Sequence, residues 1–80
     1  MKQLLYFSAP WCGPCKTLAP LMEELAQTYP IRKINVDNER DIVHEYNITS
    51  VPTTILLVDG KEAERKVGVQ SKAYYIQLLK

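Results

Sequence analysis

Two unbroken apolar runs, Leu4-Leu5-Tyr6-Phe7 and Ile55-Leu56-Leu57-Val58, stand out from a chain whose other apolar residues recur at wider spacings. The first run is ended by Ser8-Ala9-Pro10 and reads as a strand buried on both faces. Leu18, Leu21, Met22, Leu25 and Tyr29 then fall three and four apart, which marks one face of a helix over roughly residues 13–28. Pro20 lies inside that helix, removes the hydrogen bond that would be donated to the Lys16 carbonyl and should bend the axis. From Ile31 to Val36 the pattern returns to a strand, with Ile34 and Val36 on one side and Lys33 and Asn35 on the other; this mixed polarity suggests a sheet edge.

Ile42, Val43 and Tyr46 give a short helix over about residues 39–46, with Asn47 as a left-handed stop. The second apolar run, entered through Thr54, is a further buried strand, and Asp59-Gly60 signals a tight hairpin into a polar strand over residues 62–67. Ser71 caps a last helix over about residues 72–79, with Ile76 and Leu79 expected to face inward. The order is β-α-β-α-β-β-α, without internal repeat or linker. The first two strands should be parallel through a right-handed crossover and the last two antiparallel, giving an α/β fold of a four-stranded mixed sheet with helices on both faces.

Composition narrows this picture further. Eighty residues allow one domain, residues 1–80, and 46% hydrophobic with 24% charged residues is the balance of a globular protein. A net charge of +1 offers no field to gather nucleic acid or anionic lipid. The opening Met1-Lys2-Gln3 leads into only four consecutive apolar residues, too few for a signal peptide, and no stretch is long enough to span a membrane. The expected location is therefore cytoplasmic, where thiols stay reduced and two cysteines point to catalysis or metal binding rather than a structural staple.

Those cysteines stand in Trp11-Cys12-Gly13-Pro14-Cys15, at the turn from the first strand into the first helix. Two intervening residues let the sulfurs meet across one helical turn and close into a disulfide. At the helix start, free amide hydrogens and the helix dipole favour the Cys12 thiolate, so Cys12 is the nucleophile and should be the exposed sulfur. Cys15, one turn in and more buried, then resolves the mixed disulfide. Structural zinc would need four ligands, and beyond this pair only His44 is a usual candidate, so no metal is expected. Two buried thiols without a role would not explain the Gly13-Pro14 insert.

At this point the chain resembles the thioredoxin family, over about Leu4 to the C-terminus. Trp11-Cys12-Gly13-Pro14-Cys15-Lys16 is similar to that family's active-site sequence, and Pro20 matches its helix-bending proline. Val51-Pro52-Thr53 resembles its segment with a cis-proline facing the disulfide, and Lys66-Val67-Gly68 resembles its glycine-bearing substrate surface. The resemblance implies Cys12 and Cys15 as the catalytic pair, support from Trp11, Gly13, Pro14 and Lys16, and substrate contact by Trp11, Val51, Pro52 and Gly68.

Two departures stand out. Family members of ordinary length begin with an extra strand and helix, so this sequence looks like a minimal version with a glutaredoxin-like layout. Tyr6 also occupies the place of the family's buried aspartate, leaving the matching Lys33 as an edge lysine.

The resemblance implies a thiol–disulfide oxidoreductase that reduces protein disulfides with its own dithiol. No dissociable cofactor is expected, electrons would come from a thioredoxin reductase-type partner, and the protein would act as a monomer. Donation to ribonucleotide reductase is one role open to short members. Two other readings stay open: glutathione-dependent, glutaredoxin-like reduction, against which the Gly13-Pro14 insert counts, and a non-catalytic subunit of a larger complex.

Overall fold

The structure is a computed structural model describing residues 1–80. Its elements are β1 (Lys2–Ser8), α1 (Gly13–Ala26), β2 (Ile31–Asn35), α2 (Arg40–Glu45), β3 (Thr53–Val58), β4 (Lys61–Val67) and α3 (Lys72–Leu79). The sheet order is β2-β1-β3-β4, with β1 parallel to β2 and the remaining pairs antiparallel. The element order and mixed sheet are those the sequence predicts, and β2 does lie at an edge.

Central β1 explains its own composition. Leu4 and Tyr6 face α1 and α3, meeting Leu18, Met22, Leu25, Tyr75 and Leu79. Leu5 and Phe7 point to the opposite face, onto Ile34, Ile55 and Leu57 under α2. With both faces covered, an alternating pattern would bury polar groups, so the strand is apolar throughout. It begins earlier than expected, at Lys2, whose ammonium donates to the Leu78 and Lys80 carbonyls at 3.1 and 2.7 Å. A cation there satisfies acceptors that the end of α3 leaves free.

Two turns follow the expected chemistry. Asp59 and Gly60 take φ of 53° and 83° between β3 and β4, the left-handed pair of a two-residue hairpin. Asn47 ends α2 at φ 52°. Ser71 Oγ accepts the Tyr74 amide at 3.1 Å as the cap of α3.

The inward face of α3 differs from expectation. Leu79 is buried, but Ile76 is only half-buried and the anchor is Tyr75, fully buried, with its hydroxyl accepting the Gln70 amide at 3.1 Å. Tyr75 and Leu79 are four apart and share a stripe, which places Ile76 a third of a turn away.

Burial raises the Tyr6 and Tyr75 phenols above their ordinary value of 10.0. A raised folded-state value favours the neutral form, so this stabilisation is complete below about pH 10 and is lost as pH climbs through the folded-state values. Urea midpoints measured from pH 8 upward are expected to stay level to about pH 10 and then fall, less steeply in a Tyr75→Phe variant. An equally steep fall in that variant would remove Tyr75 as a cause.

Candidate active site

The site gathers where the C-terminal ends of parallel β1 and β2 meet the start of β3. Ser8 pairs with Asn35 and Phe7 with Thr53, so the turns leaving these strands converge. The Val36 amide donates to the Ser8 carbonyl at 2.9 Å and extends the ladder into the turn.

Cys12 is the N-cap of α1, in extended conformation with φ −92° and ψ 113°. Its Sγ accepts the Cys15 amide at 3.2 Å, the place a serine or aspartate oxygen usually takes. Pro14, in the first turn, brings no amide hydrogen, and that position would have lacked an intrahelical acceptor in any case. Cys12 and Cys15 form a disulfide with Cα atoms 5.3 Å apart, and no free cysteine is left.

The expected difference in exposure between the sulfurs is not seen. Cys12 is 5% exposed and Cys15 3%, because in the disulfide both lie against Ala9 with Val36 and Val51 closing over them. What separates them is electrostatic: Cys12 Sγ receives an amide hydrogen at the positive end of the helix, whereas Cys15 supplies it.

Trp11 is 68% exposed beside this pair, and its indole Nε1 donates to the Asp37 carboxylate at 3.0 and 3.3 Å. Asp37 was not found from sequence. The available signal was an acid just past a strand whose C-terminal end abuts the cysteine turn, which needs the sheet pairing before it can be read. Gly13, Pro14 and Lys16 are exposed on the first turn of α1.

The Val51–Pro52 peptide is cis, and Val51 packs against the disulfide. The Pro52 carbonyl accepts the Gly68 amide at 2.8 Å, which draws the end of β4 to the same surface. Gly68 has φ +91°, a conformation that a side chain would strain. Val67 and Val69 on either side of it are exposed. The structure thus sets Val51 against the disulfide, with Trp11 preceding Cys12 and Gly68 tied to the buried Pro52 that follows Val51; His44 lies apart on α2, and no group of three metal-ligating side chains is present.

Beneath Cys15 lies a cavity of ≈ 390 Å³ whose polar walls include Ser8, Lys16, Lys33 and Asn35 and no carboxylate. Tyr6, fully buried, also lines it and donates its hydroxyl to the Cys15 carbonyl at 3.1 Å. The phenol is therefore committed to backbone, and burial makes it a still weaker acid. Lys33 is exposed on the edge strand.

Comparison with known proteins agrees with this geometry. The family pattern described as Thioredoxin matches residues 1–80. The chain is 44% identical to the thioredoxin of Chlamydia trachomatis over 95% of this chain and 78% of that protein. It is 43% identical to the thioredoxin of Mycoplasmoides gallisepticum over 99% of this chain and 82% of that one. Among solved structures, a mutant thioredoxin from Halobacterium salinarum superposes with a TM-score of 0.90 at 36% identity, covering 98% of this chain and 71% of that one. Reduced Schistosoma mansoni thioredoxin gives 0.86 at 37% identity, covering 96% and 74%.

Proposed function

This chain belongs to the thioredoxin family and is a dithiol–disulfide oxidoreductase, and from that premise we propose that it is a one-domain, monomeric cytoplasmic reductase of protein disulfides. The observation that carries the assignment of roles is the Cys15 amide donating to Cys12 Sγ at the start of α1. The same hydrogen bond and helix end stabilise a thiolate on Cys12 once the disulfide opens.

The reaction then runs in two exchanges. The Cys12 thiolate attacks one sulfur of a substrate disulfide, forming a mixed disulfide and expelling a substrate thiolate. Cys15, deprotonated, attacks Cys12 Sγ, restores the Cys12–Cys15 disulfide and releases the second substrate thiol. With no carboxylate in the walls of the cavity and Tyr6 occupied, the Cys15 proton passes to solvent or to the departing substrate thiolate. Two electrons from a thioredoxin reductase-type donor regenerate the dithiol, and the disulfide is itself the redox centre.

Exposed Trp11, with partly exposed Val51 and Gly68 over buried Pro52, forms the surface that receives the substrate, in reach of the backbone of an extended segment. Ribonucleotide reductase is one substrate consistent with this chemistry. A coupled assay tests the proposal: NADPH, a thioredoxin reductase and a protein disulfide should give steady turnover. Turnover with glutathione and its reductase alone would reject it.

Tyr6 has a structural part in this scheme. Tyr6→Phe removes one hydrogen bond to the Cys15 carbonyl but no proton acceptor, so the rate at pH 7 should fall by less than roughly tenfold, below the 10²–10⁴ of a lost general base. Circular dichroism would confirm folding. A folded variant slowed a hundredfold would place the phenol in the chemistry.

A further inference from the structure

The surface beside the disulfide continues past Trp11. A hollow of ≈ 230 Å³ is lined by Trp11 and Val51 at one end. Another, of ≈ 480 Å³, is lined by Arg40, His44 and Asn47. Both count Val36, Val43, Ile48 and Thr49 among their walls, so they form one trough with an apolar floor. It starts at the indole beside the redox pair and ends on α2, where Arg40 and His44, four residues apart, share a helix face.

Arg40 is the one formally charged side chain among the residues that line the two hollows. No carboxylate lines either hollow. Asp37 keeps its negative charge at the Trp11 end, held by the indole and away from the α2 end, and Glu39 is joined to Arg32 at 3.0 Å. Arg40 is exposed and takes part in none of the ion pairs of the structure. A guanidinium at the end of an apolar trough is complementary to a carboxylate carried on a peptide whose apolar side chains fill the floor.

We propose that this trough selects among substrates: it takes the segment flanking the attacked disulfide, and Arg40, with His44 beside it, binds an acidic side chain there. The inference rests on the reading above that Trp11 and Val51 receive protein disulfides, and it adds which of them are preferred. The six residues of α2 rise about 9 Å, which an extended peptide crosses in roughly three residues. Peptides that carry the acidic residue two to four positions from the attacked cysteine sample that span.

Disulfide-linked peptides differing only in Glu or Gln at two to four positions from the attacked cysteine, made with the pair on either side, provide the test. With the reduced protein at low ionic strength, the Glu peptide of one orientation should be reduced roughly three- to fivefold faster than its Gln partner, as for an exposed ion pair. Raised salt should shrink that ratio. Arg40→Gln should bring it to about one, while Glu45→Gln, outside the trough, should preserve it. Equal rates for Glu and Gln peptides in both orientations, or a ratio that survives Arg40→Gln, would overturn the selectivity. Failure to reduce any of the peptides would overturn the substrate surface along with it.

Discussion

Cys12→Ser is expected to abolish disulfide reduction, lowering turnover by more than roughly 10³-fold, the scale seen when a covalent nucleophile is removed. Serine can still cap α1, so the fold survives the change. Its hydroxyl is almost wholly protonated near neutral pH, and an oxygen cannot take the sulfur's place in a disulfide. Cys15→Ser should fail differently. Steady turnover is lost to a similar extent, yet Cys12 still attacks, and each molecule is left joined to a substrate half.

Non-reducing gels and peptide mass mapping distinguish the two variants. Adducts should accumulate on Cys12 in Cys15→Ser, and limited alkylation of the reduced wild-type protein should label Cys12 first. Selective labelling of Cys12 would follow the thiolate stabilisation that the Cys15 amide and the helix start supply. Adducts found on Cys15 in Cys12→Ser, and none in Cys15→Ser, would reverse the roles.

Much of this site could be read from the chain because its parts are local. Cys12-Gly13-Pro14-Cys15 is compact, and the capping of α1 by Cys12 follows from its position before the helix. The Asp59-Gly60 turn and the Asn47 stop are equally local, set by residues that tolerate positive φ. What was missed is non-local. Asp37 meets Trp11 across a separation of 26 residues, through the β1–β2 pairing. Tyr75 rather than Ile76 fills the core under β1, because the stripe of α3 that faces inward is fixed by docking, and Tyr75 and Ile76 are both apolar enough to serve. The burial of Cys12 depends on Val51 and Val36, which come from two other segments.

Phe7→Ala carries the largest expected cost to stability, roughly 3–5 kcal/mol. Phe7 is fully buried and sits among Leu5, Ile34, Ile55 and Leu57, with its ring 6.2 Å from that of Tyr46. Helix α2 buries no residue completely, and Ile42, Val43 and Tyr46 dock it onto this cluster only partly buried. The cavity left by alanine would therefore open directly under the helix that carries the trough. An 80-residue domain is held by about 4–12 kcal/mol, so the loss takes up a large part of the margin. Tyr46→Ala, at the rim of the same cluster, should cost clearly less. Urea unfolding of both oxidised variants, followed by circular dichroism, gives the comparison. A loss below about 1.5 kcal/mol for Phe7→Ala, or a larger one for Tyr46→Ala, would show that α2 is anchored elsewhere. If the anchor is Phe7, reductase activity of the variant should follow its folded fraction as urea is raised, since Cys12, Cys15 and the cap of α1 are not part of this cluster.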